Sequence, residues 1–171
     1  RVRAKRSIEV KIPAGVESGN RIQMSGQGEV GPGGGPAGDL YVEIDVAEHN
    51  FLVREGNDLH ISVAIPMTGA VLGSKVKITT LDGEIEIEIK PGTQSGSVQP
   101  IRGKGITKLR GSGRGDLFAH IDVVIPSKLS KKEEEVLRQF AEMHGDKADS
   151  GVVKERHETG FFGKFREAFR N

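Results

Sequence analysis

Two glycine-rich stretches have the residue types of nucleotide-binding loops. Residues 26–31 read Gly-Gln-Gly-Glu-Val-Gly, which matches the dinucleotide-binding fingerprint as a string. That chemistry requires a helix to begin at the glycines, so that its free amides and dipole meet the pyrophosphate. Pro32 and three glycines follow instead. Residues 69–75 lack the Gly-Lys-Ser/Thr order of a P-loop. We therefore predict no nucleotide site at either stretch.

A second candidate is a pair of carboxylates, Asp39 and Asp116, which occupy one position of an internal repeat. A hydrolase could use them as acid and base, and Asp→Asn substitution would then remove activity without loss of folding. Alternatively, a carboxylate just after a glycine accepts loop amides and fixes the entry to a strand. The same substitution would then lower stability, and we favour this structural role.

The histidines give no metal or catalytic pattern. They stand at positions 49, 60, 120, 144 and 157, and none has a second histidine at helical ligand spacing. His60 and His120 fall on predicted polar strand faces, where solvated side chains are expected. The chain contains no cysteine, so it has no thiolate site. We predict no catalytic residue, no metal and no enzyme activity.

One loop carries a local basic patch without an acid among its members: Arg102, Lys104, Lys108, Arg110 and Arg114. It could contact nucleic acid or the acidic peptide tail of a partner, or be merely solvated. No aromatic residue is interleaved to stack on bases, and the net charge of the chain is only +1. We therefore do not favour nucleic acid as a partner. A nucleic-acid-associated, two-lobed β protein that uses the loop over residues 102–114 is kept as the alternative function.

These residues belong to a chain that holds two copies of one β unit. Residues 38–46 read Gly-Asp-Leu-Tyr-Val-Glu-Ile-Asp-Val, and residues 115–123 read Gly-Asp-Leu-Phe-Ala-His-Ile-Asp-Val, 77 positions later. The same offset relates Gly15 to Gly92 and the Gly-x-Gly at 26–28 to that at 103–105. The duplication predicts two similar lobes of modest size, each marginally stable alone.

Alternating apolar residues predict the strands of both copies. We predict strands over residues 7–12, 21–24, 40–46, 59–65, 97–102 and 117–125. The Asp82-Gly83 pair predicts a two-residue hairpin turn, with Leu81 opposite Glu84 and Ile78 opposite Ile87. A capping box at Ser130 predicts a helix that ends at Gly145, with an apolar stripe of Val136, Leu137, Phe140 and Met143.

The last eleven residues hold four of the seven phenylalanines, namely Phe161, Phe162, Phe165 and Phe169. Three of them recur at i, i+4 and i+8, as on one face of a helix. Such a stripe after a polar linker requires a partner surface. The second lobe, a second copy of the chain or a membrane surface could supply it, and we favour a protein partner because Glu167 interrupts the positive charge.

Together these residues resemble the C-terminal substrate-binding region of the DnaJ family of J-domain co-chaperones, of the bacterial type that carries a zinc-finger module. The resemblance extends in order over essentially the whole chain. Six stretches carry it: Val-Lys-Ile-Pro-Ala-Gly-Val at 10–16, Pro-Ala-Gly-Asp-Leu-Tyr-Val at 36–42, Arg-Glu-Gly-Asn-Asp-Leu at 54–59, Thr-Leu-Asp-Gly at 80–83, Arg-Gly-Lys-Gly at 102–105, and the phenylalanines at 161, 162 and 165.

The resemblance implies a mainly β protein with two tandem β-sandwich lobes, short helices and a C-terminal helical segment for dimerisation. It implies that unfolded polypeptide binds an apolar groove on the first lobe, partly by strand addition, for delivery to a DnaK-type chaperone. By position, Ile8, Val10, Val42 and Ile44 are expected around that groove. Each of the four could equally be ordinary core. The phenylalanine tail is expected to join two protomers into a homodimer.

The chain also departs from the full family pattern. It lacks the His-Pro-Asp motif of a J-domain and the cysteines of the zinc module, so we expect a fragment that binds no zinc and does not stimulate a DnaK-type ATPase by itself. We predict part of the first lobe at 1–50, the second lobe at 51–126, and a helix, linker and tail at 127–171. No apolar run approaches the ~18 residues of a membrane span, and a cytoplasmic location is expected.

Overall fold

The computed structural model describes residues 7–146 and residue 151, and it is mainly β, as predicted. The chain divides into two compact units between Ile125 and Pro126. The first contains the strands β1 (Arg21–Met24), β2 (Leu40–Glu43), β3 (Val53–Glu55), β4 (Asp58–Pro66), β5 (Ser74–Thr80), β6 (Gly83–Ile89), β7 (Ser97–Ile101) and β8 (Leu117–Val124), and the short helix α1 (Met67–Leu72). The second contains the helix α2 (Lys131–His144).

The sequence repeat is also a repeat of strand pairing. In the first copy, β1 and β2 pair antiparallel with Arg21 opposite Glu43. In the second copy, β7 and β8 pair antiparallel with Val98 opposite His120, so both partners are displaced by the same 77 positions. A backbone hydrogen bond near the start of the first strand of each pair is repeated as well. Gly19 N–H donates to Ile44 O in the first copy, and Gly96 N–H donates to Ile121 O in the second. The two copies therefore share one local fold.

A four-stranded sheet holds the core. Its order is β3-β4-β8-β7, with β4 and β8 parallel and the other pairs antiparallel. Alternate residues of β4 and β8 point to one face and are buried, in keeping with a half-buried sheet. The hairpin β5–β6 contributes to the same core. The buried members are Leu59, Ile61, Val63 and Ile65 of β4, Leu117, Ala119 and Ile121 of β8, Ile78, Ile87 and Ile89 of the hairpin, Ala70 of α1, and Leu52.

The hairpin forms at the predicted place, but the predicted register was wrong by two residues. Ile78 lies opposite Ile85 rather than Ile87, and the turn residues are Leu81 and Asp82. The buried Thr80 hydroxyl donates to Gly83 O at 2.8 Å and accepts the Asp82 N–H at 3.2 Å. These bonds close the turn one residue earlier than predicted. A shift by two preserves side-chain parity, so the apolar face remains buried.

The predicted strand over residues 7–12 is absent, because no strand of the described residues pairs with this segment. Ile12 is 57% exposed there. The predicted strand over 40–46 is shorter, since β2 ends at Glu43. Beyond it, Ile44 exchanges backbone bonds with Gly19 and Asn20, and the Val46 N–H donates to Ser18 Oγ at 2.8 Å. The strands predicted over 97–102 and 117–125 each end one residue early, and that predicted over 59–65 is one residue longer at each end.

Helix α2 begins and ends as predicted. The Ser130 hydroxyl accepts the Glu133 N–H, the Glu133 carboxylate accepts the Ser130 N–H, and Gly145 closes the helix in the left-handed conformation. Of its apolar stripe, Leu137 is half-buried, while Val136, Phe140 and Met143 are exposed. Within the described part of the chain, neither helix has the length and hydropathy needed to span a membrane.

Candidate binding surface

The four residues predicted to line a binding groove all lie in the first copy, and all are half-buried. Val42 lies in β2 opposite Ile22. The Ile44 N–H donates to Asn20 O at 2.9 Å, which keeps Ile44 on the same face as Val42. Ile8 and Val10 lie in the irregular segment before Pro13 rather than in a strand. The structure thus groups Val42 and Ile44 on one strand face and leaves Ile8 and Val10 outside any sheet.

Burial differs sharply between the equivalent strands of the two copies. Leu117 and Ala119 of β8 are 0% exposed and Ile121 is 1% exposed. Their counterparts in the first copy, Leu40, Val42 and Ile44, are only half-buried. The reason lies in the neighbours: β8 pairs on both sides, with β4 and β7, and its buried face belongs to one core cluster with the β5–β6 hairpin, whereas β2 pairs with β1 alone among the described strands and none of its residues belongs to that cluster. The first copy therefore presents a partly uncovered apolar face beside a strand edge.

The two recurring aspartates, Asp39 and Asp116, each accept a hydrogen bond from a backbone N–H of a loop glycine. Asp39 Oδ1 accepts the Gly26 N–H at 3.0 Å, and its Oδ2 accepts the Gln23 amide at 2.6 Å. The Gly26 bond first, and the Gln23 bond second, lower the pKa of Asp39 below its ordinary value. Asp116 Oδ1 accepts the Gly103 N–H at 2.7 Å in the equivalent place. Each carboxylate belongs to a separate copy and is used to fix a strand entry, which supports the structural role.

The basic patch is partly neutralised by an acid from another element. Arg114 Nη1 donates to both carboxylate oxygens of Asp82, at 2.9 and 2.8 Å, and Lys104 Nζ donates at 3.1 Å. Arg114 first, and Lys104 second, hold the pKa of Asp82 below its ordinary value. Sequence reasoning had assigned Asp82 to the turn alone. The signal was present, since an acid at a hairpin tip can reach cations of a distant loop.

His60 and His120 are in contact rather than separately solvated. His60 Nδ1 and His120 Nε2 are 2.9 Å apart, His60 Nε2 lies 3.2 Å from Glu55 Oε2, and the His60 ring stacks on Phe118. The contact was missed because it depends on the parallel pairing of β4 with β8. Within residues 7–146 and residue 151, no three histidine or carboxylate groups converge as metal ligands.

The phenylalanine tail cannot be compared with the structure. Phe161, Phe162, Phe165 and Phe169 lie outside the described residues. Their assignment to a dimer interface remains a prediction.

Two protein-family models match this chain. Residues 1–126 match the family model described as DnaJ C terminal domain. This chain belongs to the DnaJ C-terminal family. Residues 132–171 match a second model, described as Chaperone protein DnaJ C-terminal region, so the DnaJ match extends over both compact units and confirms the resemblance inferred from the sequence.

Curated relatives carry the same name. The chain is 52% identical over 169 residues to Chaperone protein DnaJ 2 of Streptomyces avermitilis and 50% identical over 171 residues to Chaperone protein DnaJ 1 of Nocardia farcinica. It is 48% identical over 170 residues to Chaperone protein DnaJ of Leifsonia xyli subsp. xyli. Each alignment includes 99% of this chain but only 44%, 44% and 45% of these relatives, respectively, so the chain spans less than half of their length.

Proposed function

We propose that this chain is the client-binding and dimerisation region of a DnaJ-type co-chaperone, without catalytic activity of its own. The observation that carries the proposal is the difference in burial between two strands of the same local fold. The apolar face of β8 is fully covered, while that of β2 is half open. A surface for unfolded polypeptide needs such an open apolar face, because exposed hydrophobic side chains distinguish unfolded from folded chains.

The mechanism combines two kinds of contact. An extended client segment adds to the edge of the β1–β2 sheet through backbone hydrogen bonds, which do not depend on client sequence. Apolar client side chains cover the face that carries Val42 and Ile44, with Ile8 and Val10 at its border. Backbone bonding thus accepts many clients, and the apolar face selects their hydrophobic segments.

The client is then passed to a DnaK-type, ATP-dependent chaperone, and the phenylalanine tail joins two such chains. Two weak client sites in one dimer bind a long unfolded chain more tightly than either site alone, because the second contact is intramolecular. Family membership supports this architecture, and no step of it requires a nucleophile or metal from this chain.

Substitution V42S/I44S tests the client surface. Covering a half-buried aliphatic side chain contributes roughly 1 kcal/mol, so removing two costs about 2 kcal/mol and predicts about thirtyfold weaker binding. The measurement is fluorescence anisotropy of a labelled, reduced and carboxymethylated α-lactalbumin, which stays unfolded. Tyr41→Ser is the matched control, because Tyr41 is 59% exposed on the opposite face of β2.

Far-UV circular dichroism of each variant separates lost binding from lost folding. Equal affinity of the folded V42S/I44S variant and the Tyr41→Ser control would contradict the proposed surface.

The dimer is tested by light scattering on the 171-residue chain and on a chain truncated after Asp149. We expect a dimeric mass for the first and a monomeric mass for the second, because the truncation removes all four phenylalanines of the tail. Two monomeric masses would refute dimerisation through the tail in this chain. Two dimeric masses would place the interface within residues 1–149 instead of the tail.

A further inference from the structure

The turn over residues 107–114 shares its backbone frame with the turn over residues 30–37. An isolated bridge joins Thr107 to Arg114, and the equivalent bridge joins Val30 to Ala37. The tips differ at five of six positions, since residues 31–36 read Gly-Pro-Gly-Gly-Gly-Pro and residues 108–113 read Lys-Leu-Arg-Gly-Ser-Gly. The uncharged tip of the first copy closes with the same bridge. The turn can therefore fold without the two cations of the basic tip, Lys108 and Arg110.

The basic tip is held in position at its base. A side-chain carbon built on Gly15 would lie 2.2 Å from Thr107 O, so the backbones of the two lobes are in direct contact there. Arg114 Nε donates to Gly105 O at 2.9 Å, and its other end is bound by Asp82. Lys108 N–H donates to Gly113 O at 3.1 Å across the tip. Such anchoring reduces the entropy that a ligand must remove on binding.

A pocket of about 340 Å³ lies between the tip and the first lobe. Its lining includes Lys108, Leu109 and Arg110 of the tip, Glu17 and Asn20 of the first lobe, and Asn57, whose backbone O accepts the Ile106 N–H at the base of the tip. Leu109 is 43% exposed between the two cations. Neither cation forms an ion pair with any residue that the structure describes.

We propose that this pocket and tip bind an acidic, extended segment of a polypeptide partner. Lys108 and Arg110 pair with its carboxylates, and Leu109 contacts an apolar side chain between them. Asn20 Oδ1 already accepts the Glu17 N–H at 2.9 Å, which leaves the Asn20 amide NH₂ to donate to the partner. The site uses none of the four side chains proposed to contact unfolded clients, so it does not depend on that proposal.

The pocket favours acidic peptide over nucleic acid. A nucleic-acid surface requires a longer array of cations along the phosphate backbone and gains from aromatic stacking. This pocket has two cations and no aromatic residue, and the Glu17 carboxylate in its lining disfavours a dense polyanion.

The test is fluorescence anisotropy of a fluorescein-labelled hexaglutamate peptide with the 171-residue chain, with hexaglutamine as the neutral probe. We expect hexaglutamate alone to bind, more weakly as ionic strength rises to about 0.15 M. The K108E/R110E variant should bind it roughly tenfold more weakly. K128E/K132E changes net charge equally outside the tip and should bind like the parent chain. Circular dichroism verifies that both variants are folded.

Each other outcome overturns the proposal. No binding of hexaglutamate, equal binding by K108E/R110E, or an equal loss in K128E/K132E would show that the tip is not a specific site. A hexathymidine strand that binds more tightly than hexaglutamate, and is lost in K108E/R110E, would assign the tip to nucleic acid instead. Client binding measured with carboxymethylated α-lactalbumin should be unchanged in K108E/R110E, which keeps this test separate from that of the client surface.

Discussion

At the residue scale, carboxylates organise the loops of this protein. Asp39 and Asp116 each accept a glycine N–H that would otherwise lack a strand partner. Asp82, at the tip of the β5–β6 hairpin, forms ion pairs with Arg114 and Lys104. The bonds to Asp39 and Asp82 favour the charged forms of these two carboxylates and lower the pKa of each below its ordinary value, so these two sets of contacts couple loop structure to pH.

The Asp82 contacts predict a pH-dependent contribution to stability. The folded-state pKa of Asp82 lies below its ordinary value of 3.8, because Arg114 and Lys104 donate to it. The contribution is therefore fully present above the unfolded-state pKa and is lost as pH falls through the folded-state pKa. The Asp82→Asn variant should be less stable than the parent chain at about pH 7, and the difference should shrink as pH falls from there through the folded-state pKa of Asp82.

Urea unfolding over this pH range measures the difference. Asp122→Asn is the control, since Asp122 is exposed on β8 and forms no ion pair with the described residues. A difference that persists at low pH would mean that Asp82 acts through turn geometry rather than charge.

At the element scale, one hydroxyl sets the register of a hairpin. Thr80 is 6% exposed, and its Oγ1 bonds both Gly83 O and the Asp82 N–H. Gly83 has a φ of +111°, which a residue with a side chain rarely adopts. Together they place the turn at Leu81 and Asp82 rather than at Asp82 and Gly83.

Replacing Thr80 with valine should destabilise this hairpin at nearly constant volume. The change removes both hydroxyl bonds and leaves the Asp82 N–H without that acceptor, a cost of about 1–2 kcal/mol. The measurement is the free energy of unfolding in urea. Thr79→Val is the control, because Thr79 is exposed on the other face. A loss no larger than that of the control would show that strand pairing alone sets the register.

At the scale of the whole molecule, close contacts connect the two copies of the repeat. Arg54, in β3, donates through Nη1 to Val16 O at 2.7 Å and through Nη2 to Gly15 O at 3.0 Å. Gly15 meets the 107–109 backbone on its other side. The segment around Gly15 is therefore held between elements of the second copy, and the position of the basic tip depends on it.

Two glycine substitutions separate this contact from local strain. Gly15 and Gly19 have φ values of +89° and +86°, so alanine costs roughly 1–2 kcal/mol of backbone strain at either position. Only at Gly15 does the added carbon also meet backbone of the second copy, whereas nothing lies within 4 Å at Gly19. Gly15→Ala should be clearly less stable than Gly19→Ala in thermal unfolding. Equal losses would contradict a tight contact between the copies.

The sequence by itself determined the repeat, most of the strands, the capped helix and the family. Each can be read from the order of residues along the chain: from alternation of apolar residues, from a capping pair, or from short strings that recur within the chain or in the family. Because both copies contain the same Gly-Asp strand entry, their common hydrogen bonds could be predicted from either one.

Only the tertiary structure decided which apolar face is partly exposed and which cations form ion pairs. Val42 and Ala119 have equivalent positions in sequence, yet their burial differs because β8 has strands on both sides and shares a core cluster with the β5–β6 hairpin, while β2 has a single neighbouring strand among the described residues and lies outside that cluster. Likewise, Asp82 meets Arg114 and His60 meets His120 through contacts distant in sequence. No local pattern encodes such contacts, because burial and ion pairing depend on what other elements bring to the same place.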